Sequence, residues 1–245
     1  MEKLALLFII FFIGLVLTSG AQEPKEVDTI TTSGGNLSIT FIGHGTLMFS
    51  FGGKVIHIDP VSRYADYAAL PKADLILVTH EHGDHLDPDA IAKIKTDATV
   101  TAIAQSCSEG IPDGIVMKNG DQKKLAGFTV DAVPAYNIVH KRGNGDPYHP
   151  KGVGNGYVIT FADKRVYIAG DTENIPEMSQ LKDIDITFLP MNLPYTMTPE
   201  MVADAARVFK PKILYPYHFG ETDTSALVNL LKNDQNIEVR IRSMK

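Results

Sequence analysis

Alternating hydrophobic and polar residues near the start of the chain predict a β-hairpin. Residues 37–41 alternate as a half-buried strand does, and residues 47–51 and 55–58 flank the turn Gly52-Gly53. A continuous apolar run, Leu75–Val78, follows. Its length and its β-branched content predict a strand that is buried on both faces of a sheet.

The second half of the chain repeats this order of patterns. Residues 157–161 and 166–169 flank another short turn, and the segment 185–190 resembles 74–79 because both begin with an aspartate and continue with apolar residues. An internal repeat would place a functional loop of one half opposite its counterpart in the other half. Taken alone, the parallel is weak evidence for such a repeat.

Helices are predicted between these strands. Asp87 before Pro88 and Thr198 before Pro199 are typical helix starts, in which a capping side chain precedes a proline at the first helical position. Pro211 ends the second helix, and residues 212–215 form a last buried strand. Strands that alternate with helices predict an α/β domain.

The amino terminus has the pattern of an export signal. Two charged residues precede an apolar stretch, 4–17, which suits a signal peptide and is too short to span a bilayer comfortably. We expect residues 1–21 to be a signal peptide, 22–35 a flexible tether, and 36–245 the folded domain. The protein would then be exported, periplasmic or secreted, with no stable membrane anchor after cleavage. An uncleaved anchor is the competing interpretation.

Composition narrows the function classes. The chain has 245 residues, of which 44% are hydrophobic and 21% charged, so it has ample material for a core. A net charge of −6 argues against a nucleic-acid-binding surface. Cys107 is the single cysteine, so we expect no internal disulfide and interpret the thiol as a packed side chain.

The densest candidate chemistry directly follows the buried strand Leu75–Val78. The segment His80-Glu81-His82-Gly83-Asp84-His85 places three imidazoles and a carboxylate at what we expect to be the carboxyl end of that strand. His80 and His82 are two positions apart, which in extended chain puts both on one side, facing one cation. Asp84 and His85 come where the chain turns, and they can face a second cation. Such nitrogen and oxygen ligands suit zinc, manganese or iron.

This segment resembles the His-x-His-x-Asp-His motif of the metallo-β-lactamase superfamily. The wider context is similar to its branch of ascorbate-phosphate-lactonase-like metal-dependent hydrolases, and the likeness extends from about Ser38 to the carboxyl terminus. The supporting segments are Ile42-Gly43-His44-Gly45-Thr46, Ile58-Asp59-Pro60, Ala169-Gly170-Asp171-Thr172 and Pro216-Tyr217-His218-Phe219-Gly220. The resemblance implies a four-layer αβ/βα sandwich with metals at one edge.

The resemblance also implies the rest of a binuclear site. Asp171 is expected to bridge the two metals, and His218 is expected to bind the second metal. Many relatives carry a histidine at the position of Asn137, so the last ligand of the first metal departs from the family pattern. His149 and His140 are the alternatives, and His149 is favoured because the long, glycine-rich loop before it can fold back over the site.

Three residues are candidates for catalytic roles. Asp84 can orient a hydroxide while it binds metal. Asp59 ends the hairpin and can hydrogen-bond the outer nitrogen of a ligand histidine, which would fix that ring's tautomer. His44 lies in a glycine-flanked turn, and the resemblance places it near the mouth of the pocket, although a purely structural role is an open alternative.

The expected activity is metal-dependent hydrolysis. A hydroxide that bridges two divalent cations, zinc or alternatively manganese or iron, would attack a phosphodiester or a lactone or ester-type substrate. Lys141, Arg142 and Lys151 could hold an anionic group of this small molecule, although solvated charges are the commoner explanation for such loop residues. Two alternatives stay open: an iron-dependent dioxygenase or another redox member of the superfamily, and a metal-binding protein without activity.

Overall fold

The structure, a computed structural model, describes residues 25–244. Its first seven strands form one sheet in chain order. They are β1 Val27–Thr32, β2 Gly35–Gly43, β3 Thr46–Phe51, β4 Lys54–Ile58, β5 Leu75–Val78, β6 Val100–Ala104 and β7 Ile115–Met117. Strands β1 to β4 pair antiparallel, and β4 to β7 pair parallel. The predicted hairpin and the predicted buried strand are therefore neighbours in one mixed sheet.

The other seven strands form a second sheet with the same arrangement, again in chain order. They are β8 Gln122–Leu125, β9 Phe128–Ala135, β10 Gly154–Phe161, β11 Lys164–Ile168, β12 Ile186–Pro190, β13 Ile213–Tyr217 and β14 Glu238–Val239. Strands β8 to β11 pair antiparallel, and β11 to β14 pair parallel.

The two halves repeat each other down to single hydrogen bonds. Asp74 Oδ2 accepts a hydrogen bond from the backbone N–H of Val55, and Asp185 Oδ2 accepts one from that of Arg165, each at 2.9 Å. In each half the aspartate carbonyl then accepts from the first residues of the next parallel strand, Val100 or Ile213. The weak sequence parallel between 74–79 and 185–190 thus corresponds to a repeated strand connection.

The core lies between the two sheets and continues under the helices. Along β5, Leu75 and Leu77 belong to the cluster shared with the second sheet, whereas Ile76 and Val78 pack with the helix on the outside. Aromatic rings contact each other across the sandwich, for example Phe49 with Phe161 at a centroid distance of 5.7 Å. The outer layers are α1 Pro88–Ile94 on the first sheet and α2 Pro199–Phe209 and α3 Thr224–Leu231 on the second. This is the expected four-layer αβ/βα sandwich.

Both predicted helix starts are present. Asp87 accepts hydrogen bonds from the backbone N–H groups of Asp89 and Ala90, and Thr198 accepts one from that of Met201. These side chains satisfy donors that have no partner inside the helix. Helix α2 ends at Phe209, two residues before Pro211.

The predicted tether, 22–35, is wrong over its second part. Strand β1 pairs with β2 through a turn at Ser33 and Gly34, so the folded domain includes Val27 and not only residues from 36 onward. Asp28 in β1 also forms an ion pair with Arg242 at 2.7 Å. Strand β1 lies at the edge of the sheet and has polar, partly exposed residues, which is why its sequence resembles a linker. The predicted signal peptide, 1–21, lies outside the described residues.

Within residues 25–244, no helix is long and apolar enough to cross a membrane.

Candidate metal centre

The candidate ligands lie at one edge of the sandwich, and most of them come just beyond strand ends. His80, His82, Asp84 and His85 follow β5. Asp171 follows β11 and His218 follows β13. His149 comes from the long connection between β9 and β10. The structure therefore brings together donors that are up to 138 positions apart, from His80 to His218.

Four donors form a first group. His82 Nδ1 lies 3.1 Å from His80 Nε2 and 3.2 Å from His149 Nε2. Asp171 Oδ2 lies 3.3 Å from His149 Nε2 and 3.9 Å from His80 Nε2. Three imidazole nitrogens thus lie together, and the carboxylate of Asp171 lies beside two of them.

A second group shares Asp171 with the first. Asp84 Oδ2 lies 3.5 Å from His218 Nε2 and 3.9 Å from His85 Nε2. Asp171 Oδ1 is 3.4 Å from His85 Nε2, and Asp171 Oδ2 is 3.4 Å from His218 Nε2. The carboxylate of Asp171 therefore lies between two sets of donors.

These spacings fit a divalent cation. A tetrahedral zinc ion with bonds of about 2.1 Å has ligand atoms about 3.4 Å apart, and the distances within both groups lie close to that value. His85 Nε2, Asp171 Oδ1 and His218 Nε2 are buried and have no hydrogen-bond partner among residues 25–244. Buried polar atoms without partners are costly, so three that converge on one place indicate a ligand. The donor set is that of a metal centre.

Two imidazoles of the first group, those of His80 and His82, favour their neutral, metal-binding form. Burial lowers the pKa of His80 well below the ordinary histidine value, and the positive charge of neighbouring imidazoles adds to this effect. The pKa of His82 is also lowered, first by burial and then by His149. Neutral imidazole offers the lone pair that binds a cation, so no proton has to be displaced from these two rings near neutral pH.

The second group carries the opposite electrostatics. Burial would lower the pKa of His85, but the carboxylates of Asp171, Asp59 and Asp84 outweigh burial and raise it to about 9. Burial likewise opposes ionisation of Asp84, yet the imidazoles of His218, His44 and His85 beside it hold its pKa well below the usual range. The negative potential that favours a proton on His85 equally favours a divalent cation.

Asp59 hydrogen-bonds the ring nitrogen of His85 that faces away from the donor group, as the sequence predicts for a carboxylate next to a ligand histidine. Its buried carboxylate accepts hydrogen bonds from His85 Nδ1 at 2.8 Å, and from the backbone N–H and the hydroxyl of Thr79 at 2.7 Å each. Its backbone has a left-handed φ of 44°. With the proton on Nδ1, the lone pair of His85 Nε2 is directed at Asp171 and Asp84.

His44 lies at the margin of the second group. Its Nε2 is 3.1 Å from Asp84 Oδ2, its ring lies 3.7 Å from the His218 ring, and it stacks on Tyr64. Its backbone carbonyl accepts the N–H of His218 at 2.9 Å, and its own N–H donates to the carbonyl of Met244. Burial lowers the pKa of His44. The neutral ring therefore donates its Nε2 proton to Asp84.

The position after His44 has no room for a side chain larger than that of glycine. A Cβ added at Gly45 would lie 2.7 Å from Cε1 of His85, closer than side-chain atoms approach each other. The backbone of the turn after β2 thus packs directly against a ring of the second group.

His149, and not His140, joins the donor cluster. His140 donates its Nδ1 proton to Glu173 at 2.7 Å and lies in none of the donor groups among the described residues. Two contributions were not predicted from the sequence, that of Glu173 and that of Asn137. The side-chain oxygen of Asn137 accepts the Nδ1 proton of His149 at 2.7 Å. The position of Glu173, two residues after Asp171, was the available signal.

A cavity of about 500 Å³ opens onto the metal centre. Its floor includes His82, Asp84, His149 and His218, and its walls are Arg63, Tyr64, Arg142, Tyr148, Asn192 and Tyr195. Tyr148 and Tyr195 contact edge to face at 5.1 Å, and the Arg142 guanidinium lies 5.1 Å from the Tyr148 ring centre. Of the three predicted anion-binding residues, Arg142 lines this cavity, whereas Lys141 and Lys151 do not. Lys151 instead pairs with Glu177 at 2.7 Å. Arg63 was not predicted.

Comparison with known proteins agrees with this geometry. A family model described as "Beta-lactamase superfamily domain" matches residues 38–218. A "UPF0173 metal-dependent hydrolase" from Pelotomaculum thermopropionicum is 29% identical over 225 residues, which cover 84% of this chain and 97% of the relative. A protein of the same name from Thermococcus onnurineus is 34% identical over 198 residues, which cover 75% of this chain and 85% of the relative.

A solved structure is similar over nearly the whole described chain. The crystal structure of a candidate metal-dependent hydrolase from Parabacteroides distasonis superposes with a TM-score of 0.86 at 50% identity, covering 91% of this chain and 100% of that one. The family match, the fold and the clustered histidines and aspartates agree. The chain therefore belongs to the metallo-β-lactamase superfamily, in its group of metal-dependent hydrolases.

Proposed function

We propose that the protein is a binuclear hydrolase that acts on an anionic small molecule, either a phosphodiester or a lactone or ester. The observation that carries this proposal is the position of Asp171. Its carboxylate lies between two donor groups, with Oδ2 3.3 Å from His149 Nε2 and Oδ1 3.4 Å from His85 Nε2. A single metal would leave one of these groups without a use.

The chain's residues would divide the work between two cations. His80, His82 and His149 would hold the first, and Asp84, His85 and His218 the second, with Asp171 shared between them. Nitrogen and carboxylate donors suit zinc best, with manganese and iron as alternatives. Two bound divalent cations supply a nucleophilic water at neutral pH and polarise the oxygen of the substrate.

Asp84 is the ligand that best combines metal binding with catalysis. Its side chain is 37% exposed and faces the cavity, whereas those of His85 and Asp171 are buried. A carboxylate in this position can accept a hydrogen bond from the attacking water and keep it oriented. His44 donates to Asp84 Oδ2 and thereby restricts the rotation of the carboxylate.

The walls of the cavity support an anionic substrate. Arg63 and Arg142 both line it, and guanidinium groups bind phosphate and carboxylate oxygens through paired hydrogen bonds. Tyr64, Tyr148 and Tyr195 offer flat surfaces for the rest of the molecule. A volume of about 500 Å³ is within the range of small-molecule sites.

We further propose that residues 1–21 are removed as a signal peptide and that the enzyme works in the periplasm or outside the cell. The apolar stretch 4–17 followed by the small residues Thr18-Ser19-Gly20-Ala21 supports this proposal. Mass spectrometry of the intact protein from a host that can export it tests the point. A mature chain that starts near Gln22 is expected, and an unprocessed chain would contradict it.

The test of the hydrolase begins with metal content per chain, measured by elemental mass spectrometry on protein purified without added metal or chelator. We expect close to two zinc or manganese ions, and hydrolysis of a chromogenic phosphodiester or lactone that is lost in Asp171→Asn. Lys151→Ala is the matched control, because this residue lies outside the cavity and should leave turnover unchanged. One iron per chain, or two metals without hydrolysis of either substrate class, would refute the proposal.

Hydrolysis in ¹⁸O-labelled water then identifies the bond that is broken. A phosphodiester would yield a phosphomonoester with one ¹⁸O, and a lactone would yield a hydroxy acid with ¹⁸O in its carboxylate.

A further inference from the structure

The buried side chain of Asn137 lies between a candidate ligand and a buried carboxylate. Its Oδ1 accepts hydrogen bonds from the backbone N–H of His149 at 2.9 Å and from Nδ1 of the same residue at 2.7 Å. The backbone N–H of Asn137 donates to the backbone carbonyl of His149 at 2.9 Å. Three hydrogen bonds therefore join these two residues, which are twelve positions apart, across the mouth of the loop between them.

The other end of the amide fixes which way Asn137 points. Its Nδ2 donates to Glu173 Oε1 at 3.1 Å and to the carbonyl of Tyr195 at 2.9 Å. Neither a carboxylate nor a carbonyl can donate, so a flipped amide would bring its oxygen against two other oxygens. The unflipped amide leaves only an acceptor facing His149, and the proton of that ring must lie on Nδ1.

The tautomer has a direct consequence at the metal centre. With the proton on Nδ1, the lone pair of His149 Nε2 points towards His82 Nδ1, 3.2 Å away, and Asp171 Oδ2, 3.3 Å away. Both of these atoms are donors of the first group. The opposite tautomer would place an N–H there and prevent binding of a cation.

Glu173 in turn holds the start of the loop. Its carboxylate is fully buried and accepts the backbone N–H groups of Ile138, Val139 and His140 at 2.7 Å each, besides the Nδ1 proton of His140 and the amide of Asn137. Three consecutive backbone donors on one carboxylate leave the chain little freedom at this point. The loop that returns to His149 therefore leaves the sheet in a fixed direction.

We propose that Asn137 and Glu173 are positioning residues that set the tautomer and the location of His149, and so determine the affinity of the first metal group. The proposal rests on the metal centre of the proposed function. It assigns a role to two residues that touch neither the metal position nor the substrate cavity. Residues that orient a ligand histidine typically change metal affinity by about 10- to 100-fold when they are replaced.

The experiment is a Co²⁺ titration of the full chain, followed by visible absorption, in a His218→Ala background that leaves the first group as the complete one. Asn137→Ala and Glu173→Gln are each expected to weaken Co²⁺ binding by about 10- to 100-fold. Glu177→Gln is the matched control, because this carboxylate binds Tyr136 and Lys151 outside the network. Affinities within about twofold of the parent for both test variants would overturn the proposal.

A second titration separates a local effect from a general loss of structure. In a His82→Ala background, which leaves the second group as the complete one, Asn137→Ala is expected to leave Co²⁺ affinity within about twofold of the parent. An equal loss in both backgrounds would mean that the variant damages the whole edge, and would overturn the assignment to His149.

A measurement on the unaltered chain covers the case in which a variant does not fold. In zinc-loaded protein labelled with ¹⁵N-histidine, Nδ1 of His149 is expected to carry the proton, and a spectrum with an unprotonated Nδ1 would overturn the proposal. The readouts are independent of substrate. A parent chain that binds no Co²⁺ at all refutes the proposed function, whereas a parent that binds it with unchanged variants refutes only the positioning role.

Discussion

Replacing Asp59 with asparagine should change the metal centre more than it changes the fold. Asparagine has the same shape and tolerates the left-handed backbone at this position, where φ is 44°. Its oxygen can still accept a hydrogen bond from the backbone N–H of Thr79, and it must face that group because a backbone N–H can only donate. The new NH₂ group must then face the Thr79 hydroxyl and His85 Nδ1, the two partners of Asp59 Oδ2 in the native chain.

His85 can satisfy that NH₂ group only by changing tautomer. Its Nδ1 would accept a hydrogen bond, and its proton would move to Nε2, the atom that faces Asp171 and Asp84. Stability would fall by about 1–2 kcal/mol, since one charge-assisted hydrogen bond is replaced by a neutral one. Metal affinity at the second group would fall by about 10- to 100-fold.

Asp59→Ala distinguishes the loss of the buried acceptor from the loss of its charge alone, because asparagine keeps an acceptor and alanine does not. It leaves the Thr79 donors and His85 without a buried acceptor, which costs about 3–5 kcal/mol, and places alanine in a left-handed conformation at a further cost of about 1–2 kcal/mol. We therefore expect a loss of about 4–7 kcal/mol, several times the loss for asparagine.

Two measurements check this prediction. Urea unfolding of metal-free protein gives both stabilities, and Co²⁺ titration in a His82→Ala background gives the affinity of the second group. The reasoning is refuted if Asp59→Asn binds Co²⁺ as tightly as its parent, or if alanine is no more destabilising than asparagine.

Three further predictions concern acid stability, packing and substrate binding. Burial lowers the pKa of His57 to about 4, so on acidification the histidine is protonated in the unfolded chain before it is protonated in the folded protein. The free energy of unfolding should therefore fall by about 3 kcal/mol between pH 6.5 and 4. Urea unfolding measures this loss, and His57→Gln should remove the part that His57 causes. Gly45→Ala should displace His85 and lower the metal content per chain, measured by elemental mass spectrometry, while unaltered content would contradict the close packing. Arg142→Ala should raise KM for an anionic substrate about tenfold with little change in kcat, and Lys141→Ala is its control.

Much of the metal centre is predictable because its ligands follow patterns that are local in sequence. His80, His82, Asp84 and His85 lie within six positions after an apolar strand, and Asp171 and His218 also follow strands. Parallel strands of one sheet end at the same edge, and the repeated halves bring the two edges together. The motif after β5, the positions of the strand ends and the family resemblance together were therefore enough to indicate six of the seven candidate ligands.

The parts that depend on tertiary contacts were harder to predict. The glycine-rich loop favoured His149 over His140, but the contacts that separate the two histidines, Asn137 with His149 and Glu173 with His140, are not visible in the sequence. Arg63 reaches the cavity from a loop with no regular pattern. Strand β1 was missed because an edge strand with one polar face has the composition of a linker.

The chain passes from the first sheet to the second once among the described strands, through the turn between β7 and β8. Both donor groups nevertheless take atoms from each side of that passage, since His80, His82, Asp84 and His85 precede it and His149, Asp171 and His218 follow it. A bound cation is thus a cross-link between the two halves, and the work of separating them would include the free energy of metal binding. Metal affinity then reports on how well the two halves pack against each other. Any substitution that loosens the interface between the sheets, however far from the edge, would weaken metal binding.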